Sequence, residues 1–315
     1  MSNIFPISET ASASNYYYAY GLKLKSALEL PELVSYDGTD FDVEIKLENL
    51  ARSPLTNLES YWFCCDLNPE GLWLYWQGIG TMLVSQGKKI SLQPIKDVDI
   101  ARMRLFILGA ALGAILHQRE YIVLHASAVA IDASAVVFTA PKGEGKSTMT
   151  GTLYARGHQF IADDVVAIDF SNPQRPMVFP AFPQLKLWPD SATQIGRDPD
   201  SLPKLIDRLE KREYLFEDFS LKPVPLKQIF VLGTDSAIAI KPFKPQEMIL
   251  MLLKNLYVSR FGSTLLSPQD PKYFFQLTDL AKQVGVAKLL RPRSLTMVVE
   301  VAEAVEEYLE YLTAE

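Results

Sequence analysis

The sequence predicts an α/β (α+β) protein in two parts, a β-rich amino-terminal domain over residues 1–98 and a carboxy-terminal domain over 99–315 built on a glycine-rich phosphate loop. Three observations carry this expectation. Short apolar runs recur at close spacing through the first part, punctuated by glycines. From Tyr121 onward, strand-like runs alternate with helical ones. Between a strand at 135–139 and a helix at 147–154 lies Ala140-Pro-Lys-Gly-Glu-Gly-Lys-Ser-Thr148, the strand–loop–helix context that such a loop needs.

In chain order, residues 16–24, 42–47 and 61–67 have the apolar content of strands, and 72–77, 80–85 and 89–93 follow at short spacing. With Gly78, Gly80 and Gly87 between them, they read as an antiparallel meander, with Trp62, Trp73 and Trp76 as sheet packing. Residues 98–120 read as a helix bridging to the second domain. Asp97 and Asp99 at its start and His117 and Arg119 at its end suit the helix dipole. Residues 121–131 and 135–139 form a hairpin around Asp132-Ala133 that feeds the loop. After the loop helix come strands at 160–162 and 165–170 with Asp163-Asp164 between them, then a proline-rich irregular stretch at 173–189. The charged segment 200–219 reads as helix plus loop, forming a solvated face. Residues 228–232 read as a strand, and 246–257 and 295–311 as helices.

Composition narrows the class. Hydrophobic residues at 48% and charged residues at 22% describe a globular chain. A net charge of −6 argues against a nonspecific nucleic-acid binder. The two cysteines, Cys64 and Cys65, are neighbours that an extended strand turns to opposite faces, so no ordinary disulfide joins them, which suits a reducing cytosol. Residues 1–14 lack the apolar core of a secretory signal, and the apolar run 105–116 is shorter than a bilayer span. The expectation is a cytoplasmic protein without a membrane or nucleic-acid partner.

The loop chemistry follows from its residues. Gly143 and Gly145 let backbone N–H groups turn inward around phosphate oxygens, and the following helix adds its positive end. Lys146 is placed to reach the β- and γ-phosphates and Ser147 to ligate Mg²⁺, so Lys142, Gly143, Glu144, Gly145, Lys146, Ser147 and Thr148 form the expected nucleotide cradle. Ala140 stands where the full pattern has its first glycine. Three further features bear on the loop. Asp163-Asp164, at a strand end, offers one carboxylate for Mg²⁺ and another for a hydroxyl proton. His125 interrupts an apolar strand, either as a satisfied core residue or reaching the acidic pair or the transferring phosphate. Arg260, Arg291 and Arg293 are candidates for neutralising charge on a transferring phosphate or clamping a substrate carboxylate.

Taken in order, these elements resemble the HPr serine kinase/phosphorylase family. The likeness rests on Ala155-Arg-Gly-His-Gln-Phe-Ile-Ala-Asp-Asp-Val165 and on the interval from His125 to Lys146, and it covers about residues 121–170. A looser likeness to kinase-like relatives runs through Tyr18-Ala-Tyr-Gly-Leu22, Leu30-Pro-Glu-Leu33, Leu185-Lys-Leu-Trp-Pro-Asp190 and Arg291-Pro-Arg-Ser-Leu295. The resemblance implies a P-loop domain similar to the phosphoenolpyruvate carboxykinase core, ATP and Mg²⁺ as cofactors, His125 as the active-site histidine, Asp163 as base and Asp164 as its partner near the metal with Ser147. It also hints at a homo-oligomer. The chain departs from the family in lacking the glycine-rich E-x-R-G-x-G signature after the acidic strand, and in having Lys142 and Thr148 where serine and glutamate are usual. These departures argue against HPr as acceptor and against a reverse phosphorylase reaction. The expected activity is a serine kinase acting on a peptide or protein, such as the precursor peptide of a natural product. A small-molecule acceptor such as free serine and a non-catalytic nucleotide-binding module are the alternatives. Loop amides read phosphates and not bases, so ATP and GTP are not separated.

Overall fold

The computed structural model describes residues 14–50, 53–56, 58–206, 209–264 and 271–314, and the chain divides into two compact units. The expectation about a signal segment in residues 1–14 lies almost wholly outside the described residues.

The first unit takes Met1–Tyr121 with Val258–Gln269. Its strands are β1 (Asn15–Ala19), β2 (Leu22–Ser26), β3 (Val34–Ser35), β4 (Val43–Leu47), β5 (Phe63–Asn68), β6 (Gly71–Trp76), β7 (Gly80–Ser85) and β8 (Lys89–Pro94). They form one sheet in the order β3-β1-β2-β4-β8-β7-β6-β5. Strands β5 to β8 are the expected meander. The remainder is not purely antiparallel, because β4 pairs in parallel with both β2 and β8. Long connections on either side of β4 allow this, where a hairpin would not. Residues 16–24 are not one strand: Tyr20 (φ 54°) and Gly21 (φ 73°) fold them into the β1–β2 hairpin, with Ala19 opposite Leu22. Trp73 and Trp76 are buried as expected, whereas Trp62 is 58% exposed, with the Arg102 guanidinium 5.4 Å from its ring.

The predicted helix is α1 (Ile100–Phe106), a wide π turn (Ile107–Ala111) and α2 (Leu112–Gln118). Asp99 caps its start by accepting from the Arg102 amide at 3.2 Å. The helix groups with the first unit. Phe106 packs on Trp76 (centroids 4.6 Å apart), Gln118 donates to the Val84 carbonyl at 2.9 Å, and Arg119 donates to the Gly87 carbonyl at 3.0 Å. The helix is longer than the apolar run within it. Its 19 residues are long and apolar enough to cross a membrane by length and composition, and 61% of its most apolar window is buried inside the protein.

The second unit holds Ile122–Tyr257 and Asp270–Glu315. Its main sheet contains β9 (Ile122–Leu124), β10 (Ala126–Ile131), β11 (Ser134–Thr139), β12 (Gln159–Ala162), β13 (Val166–Asp169), β14 (Met177–Phe179), and, after the three strands of a smaller sheet, β18 (Val224–Thr234), β19 (Ala239–Pro242) and β20 (Gly285–Arg291). The order is β12-β10-β11-β18-β14-β13-β9, with β20 on β18 and β19 on β20. The smaller sheet, β15 (Gln184–Leu187), β16 (Lys204–Ile206) and β17 (Leu209–Leu215), has the order β15-β17-β16. The helices are α3 (Lys146–Ala155), α4 (Pro189–Gln194), α5 (Pro245–Lys254), α6 (Pro271–Gln283) and α7 (Val298–Ala314).

The β10–β11 hairpin turns at Asp132 (φ 48°) and Ala133 (φ 61°), as the sequence predicts. Helices α3 and α7 bury Met149, Leu153, Val301 and Val305 against Val136, Phe138, Phe230 and Leu289 of the sheet. At about 25 cal/mol per Å² of apolar surface, this packing is what holds the loop-bearing helix to the strand before it. Two expectations fail. The stretch 173–189 is not irregular throughout, since it supplies β14 and β15. The stretch 200–219 is not a helix with a solvated face, since it supplies β16 and β17. Tyr214 and Phe216 pack there with Phe160, Leu185 and Leu187, and aromatic burial outweighs the local charge pattern.

Candidate active site

Strand direction explains why residues far apart in sequence meet. Strand β10 is antiparallel to both β11 and β12, so β11 and β12 end at the sheet edge where β10 begins. Strands β18 and β20 run parallel to β11 and end at that edge too. His125 (before β10), the loop after β11, Asp163-Asp164 (after β12) and Arg291 (last in β20) therefore converge. Such carboxyl edges are where open α/β sheets bind ligands.

The loop uses its glycines as expected. Gly143 (φ 88°) and Gly145 (φ 84°) are left-handed, and Gly145 caps the start of α3. Lys146 is 7% exposed. Its ammonium donates to the carbonyls of Ala140 at 2.8 Å and Pro141 at 3.2 Å and lies 3.1 Å from Nε2 of His125. An ammonium has only protons to give, so Nε2 is the acceptor and the ring proton sits on Nδ1. That nitrogen faces Asp164, 3.1 Å from its carbonyl and 3.2 Å from Oδ1. The main chain anchors the histidine as well: Thr139 Oγ1 donates to the His125 carbonyl at 3.0 Å, and the His125 amide donates to the Asn255 carbonyl at 2.9 Å.

Asp163 points elsewhere. Only 7% exposed, it accepts at Oδ1 from Ser147 Oγ (2.8 Å) and Ser127 Oγ (2.5 Å), and at Oδ2 from the Lys186 amide (3.3 Å). Ser127, fully buried in β10, escaped the sequence reading. Its signal is register: Ala128 lies opposite Ala162, which brings the residues before and after them together. Lys186, whose amide donates to Asp163, was missed because its stretch reads as irregular in sequence.

The remaining candidates divide. Arg291, 8% exposed, donates to the Glu144 carbonyl, and burial lowers its guanidinium pKa from the ordinary value against the opposing pull of the Glu144 carboxylate. Arg293 is exposed, 3.6 Å from Glu144 Oε1 and 3.5 Å from the Gly143 carbonyl. Both arginines thus contact the loop itself. Thr148 Oγ1 lies 3.0 Å from Ser191 Oγ, and Lys142 is exposed at the loop tip. Arg260 belongs to the first unit, on the short helical segment Tyr257–Thr264.

Among the described residues, no group of three or more His, Cys, Asp or Glu side chains forms a metal cage. Ser147 and Asp163 nevertheless offer adjacent hard oxygens, the sparse protein ligation that Mg²⁺ takes when phosphates and water complete its shell.

No protein-family model and no curated protein matches the chain. Among solved structures, the chain is similar to the HPr(Ser) kinase/phosphatase from Coxiella burnetii at 14% identity, over 61% of this chain and 98% of that one, with a TM-score of 0.32.

Proposed function

We propose that this chain is a phosphotransferase that moves the terminal phosphoryl group of ATP, with Mg²⁺, to a hydroxyl acceptor, a serine of a peptide or protein. The observation that supports this most is the division of labour between adjacent carboxylates: Asp163 meets Ser147, and Asp164 meets His125. Phosphoryl transfer asks for those two functions side by side.

The loop amides and Lys146 would hold the phosphates, with Lys146 exchanging the carbonyls of its own loop for phosphate oxygens. Ser147 and Asp163 would hold Mg²⁺, which when bound supplies charge neutralisation on the phosphates. Asp163 is only 7% exposed, and both of its carboxylate oxygens already accept hydrogen bonds, from Ser127, Ser147 and the Lys186 amide. Asp164, with its side chain 32% exposed and the His125 ring behind it, is better placed to take the acceptor's proton. The hydrogen bonds therefore favour exchanging the roles that family resemblance assigns to the two aspartates. Arg291 and Arg293 would keep the loop in shape.

The test is transfer from radiolabelled ATP to candidate peptides, free serine and water, with wild type, Asp163→Asn and Asp164→Asn. Asp164→Asn is expected to lower kcat by about 100-fold or more with the Mg²⁺ requirement unchanged. Asp163→Asn is expected to raise the Mg²⁺ needed for half-maximal rate. Nucleotide binding without transfer to any acceptor, water included, would leave only a binding module.

A further inference from the structure

We infer that Lys211 is a second cation of this site, facing the acidic pair from the smaller sheet and holding the negative charge of the phosphoryl group during transfer. This deepens the phosphotransferase reading and rests on it.

The argument starts from strand alternation. In β17, Arg212 and Tyr214 turn inward and are 7% and 8% exposed, so Lys211 and Glu213 belong to the other face. In the paired β15, Leu185 and Leu187 share the interior with Tyr214, which leaves Lys186 on the Lys211 side. The Lys186 amide already donates to Asp163, so this part of the sheet borders the acidic pair. The carboxylates of Asp163 and Asp164 favour the charged ammonium and the cations of Lys186 and Lys142, the latter on the phosphate loop, oppose it. Its strand face and the Lys186 contact thus put Lys211 on the part of the smaller sheet that borders the acidic pair, where the loop would present a phosphoryl group.

Its surroundings suit an anion that comes and goes. Lys211 is half-buried, and its ammonium lies 5.6 Å from the centroid of the Trp188 ring. Among the described residues its ammonium makes no salt bridge. Burial lowers its pKa from the ordinary lysine value despite the two aspartates, as expected of a cation whose compensating charge arrives with the substrate. Charge developing on the equatorial phosphoryl oxygens would then be met by Lys146 from the loop and Lys211 from the sheet.

The experiment compares wild type, Lys211→Met and Lys211→Arg in transfer or hydrolysis of ATP, with the affinity for Mg²⁺-ADP measured by calorimetry. The expected result is kcat lowered about 100-fold in Lys211→Met with ADP affinity within about threefold of wild type, and partial recovery in Lys211→Arg. An active wild type with Lys211→Met within about threefold in kcat overturns this inference and leaves the phosphotransferase reading standing. A loss of ADP affinity equal to the loss of rate also overturns it, because the lysine would then hold the nucleotide in the ground state. A wild type that binds ADP and transfers nothing overturns both. Should Lys211→Met fail to fold, Lys211→Arg and Lys211→Gln carry the same comparison.

Discussion

Gly143 and Gly145 offer a matched pair in which backbone strain and side-chain crowding separate. Their φ values are nearly equal, 88° and 84°, so alanine at either position meets the same left-handed penalty, about 1–2 kcal/mol. Their surroundings differ. A Cβ on Gly143 meets nothing within 4 Å, whereas one on Gly145 meets Arg291 Nη2 at 3.0 Å. A flexible arginine would step aside easily, but this one is 8% exposed and anchored on the Glu144 carbonyl. Displacing it loses a charge-assisted hydrogen bond, about 1.5 kcal/mol more. Gly143→Ala is therefore expected to cost about 1 kcal/mol and Gly145→Ala about 2.5 kcal/mol. Native-state hydrogen exchange of the β11 and α3 amides reads the opening free energy of this region directly. In an Arg291→Ala background the excess at Gly145 should vanish, leaving a coupling of about 1.5 kcal/mol. Equal costs for the two glycines, or a coupling below about 0.5 kcal/mol, would refute the idea that Arg291 braces the loop.

Two other perturbations follow from single contacts. Ser127→Ala removes one of the donors to Asp163 and should cost about 1 kcal/mol in a urea melt. If Asp163 holds Mg²⁺, the same change raises the Mg²⁺ concentration for half-maximal rate, read by metal titration of activity. At the far end of α3, Glu306 accepts from Arg156 Nη2 at 2.7 Å and from His158 Nε2 at 2.7 Å, and these bonds, Arg156 first, lower its pKa from the ordinary glutamate value. A folded pKa below the unfolded one gives stability that is present above the ordinary value and is lost as pH falls through the lowered one. Glu306→Gln should therefore melt lower than wild type at neutral pH, by an amount corresponding to about 1 kcal/mol, with the gap closing in acid. A gap independent of pH would rule out the ionic origin.

What the sequence shows and hides follows from how local each signal is. The loop and the Asp132-Ala133 hairpin are legible because a turn type or phosphate cradle restricts residues within a few positions. Tyr20-Gly21 is a turn of the same kind, but tyrosine is not a residue that advertises positive φ, so two strands look like one. The break at His125 is hidden for another reason. Residues 122–131 are apolar throughout except at His125 and Ser127, and only the separate pairing of β9 with β13 and β10 with β12 shows that the chain changes neighbours there. In β17 the alternation is masked by Arg212, a buried arginine that donates to the carbonyls of Pro199 and Glu210, so a sheet strand reads as a charged surface. Parallel pairing of β4 is non-local and leaves no trace in the strand itself.

The adjacent aspartates show how a short stretch of chain can serve two chemistries. In an extended strand, consecutive side chains point to opposite faces, and one carboxylate of such a pair would leave the site. Here β12 ends at Ala162, and Asp164 takes φ 71°, a left-handed conformation that aspartate tolerates better than most residues. The turn keeps both carboxylates at the sheet edge while aiming them apart, Asp163 toward Ser127 and Ser147, Asp164 toward the His125 ring. Strain of about 1 kcal/mol is offset locally, because the same turn presents the Asp164 carbonyl as well as its carboxylate to Nδ1. The backbone turn engages one carboxylate with two serine hydroxyls and a main-chain amide, while the other lies beside the histidine ring with 32% of its side chain exposed.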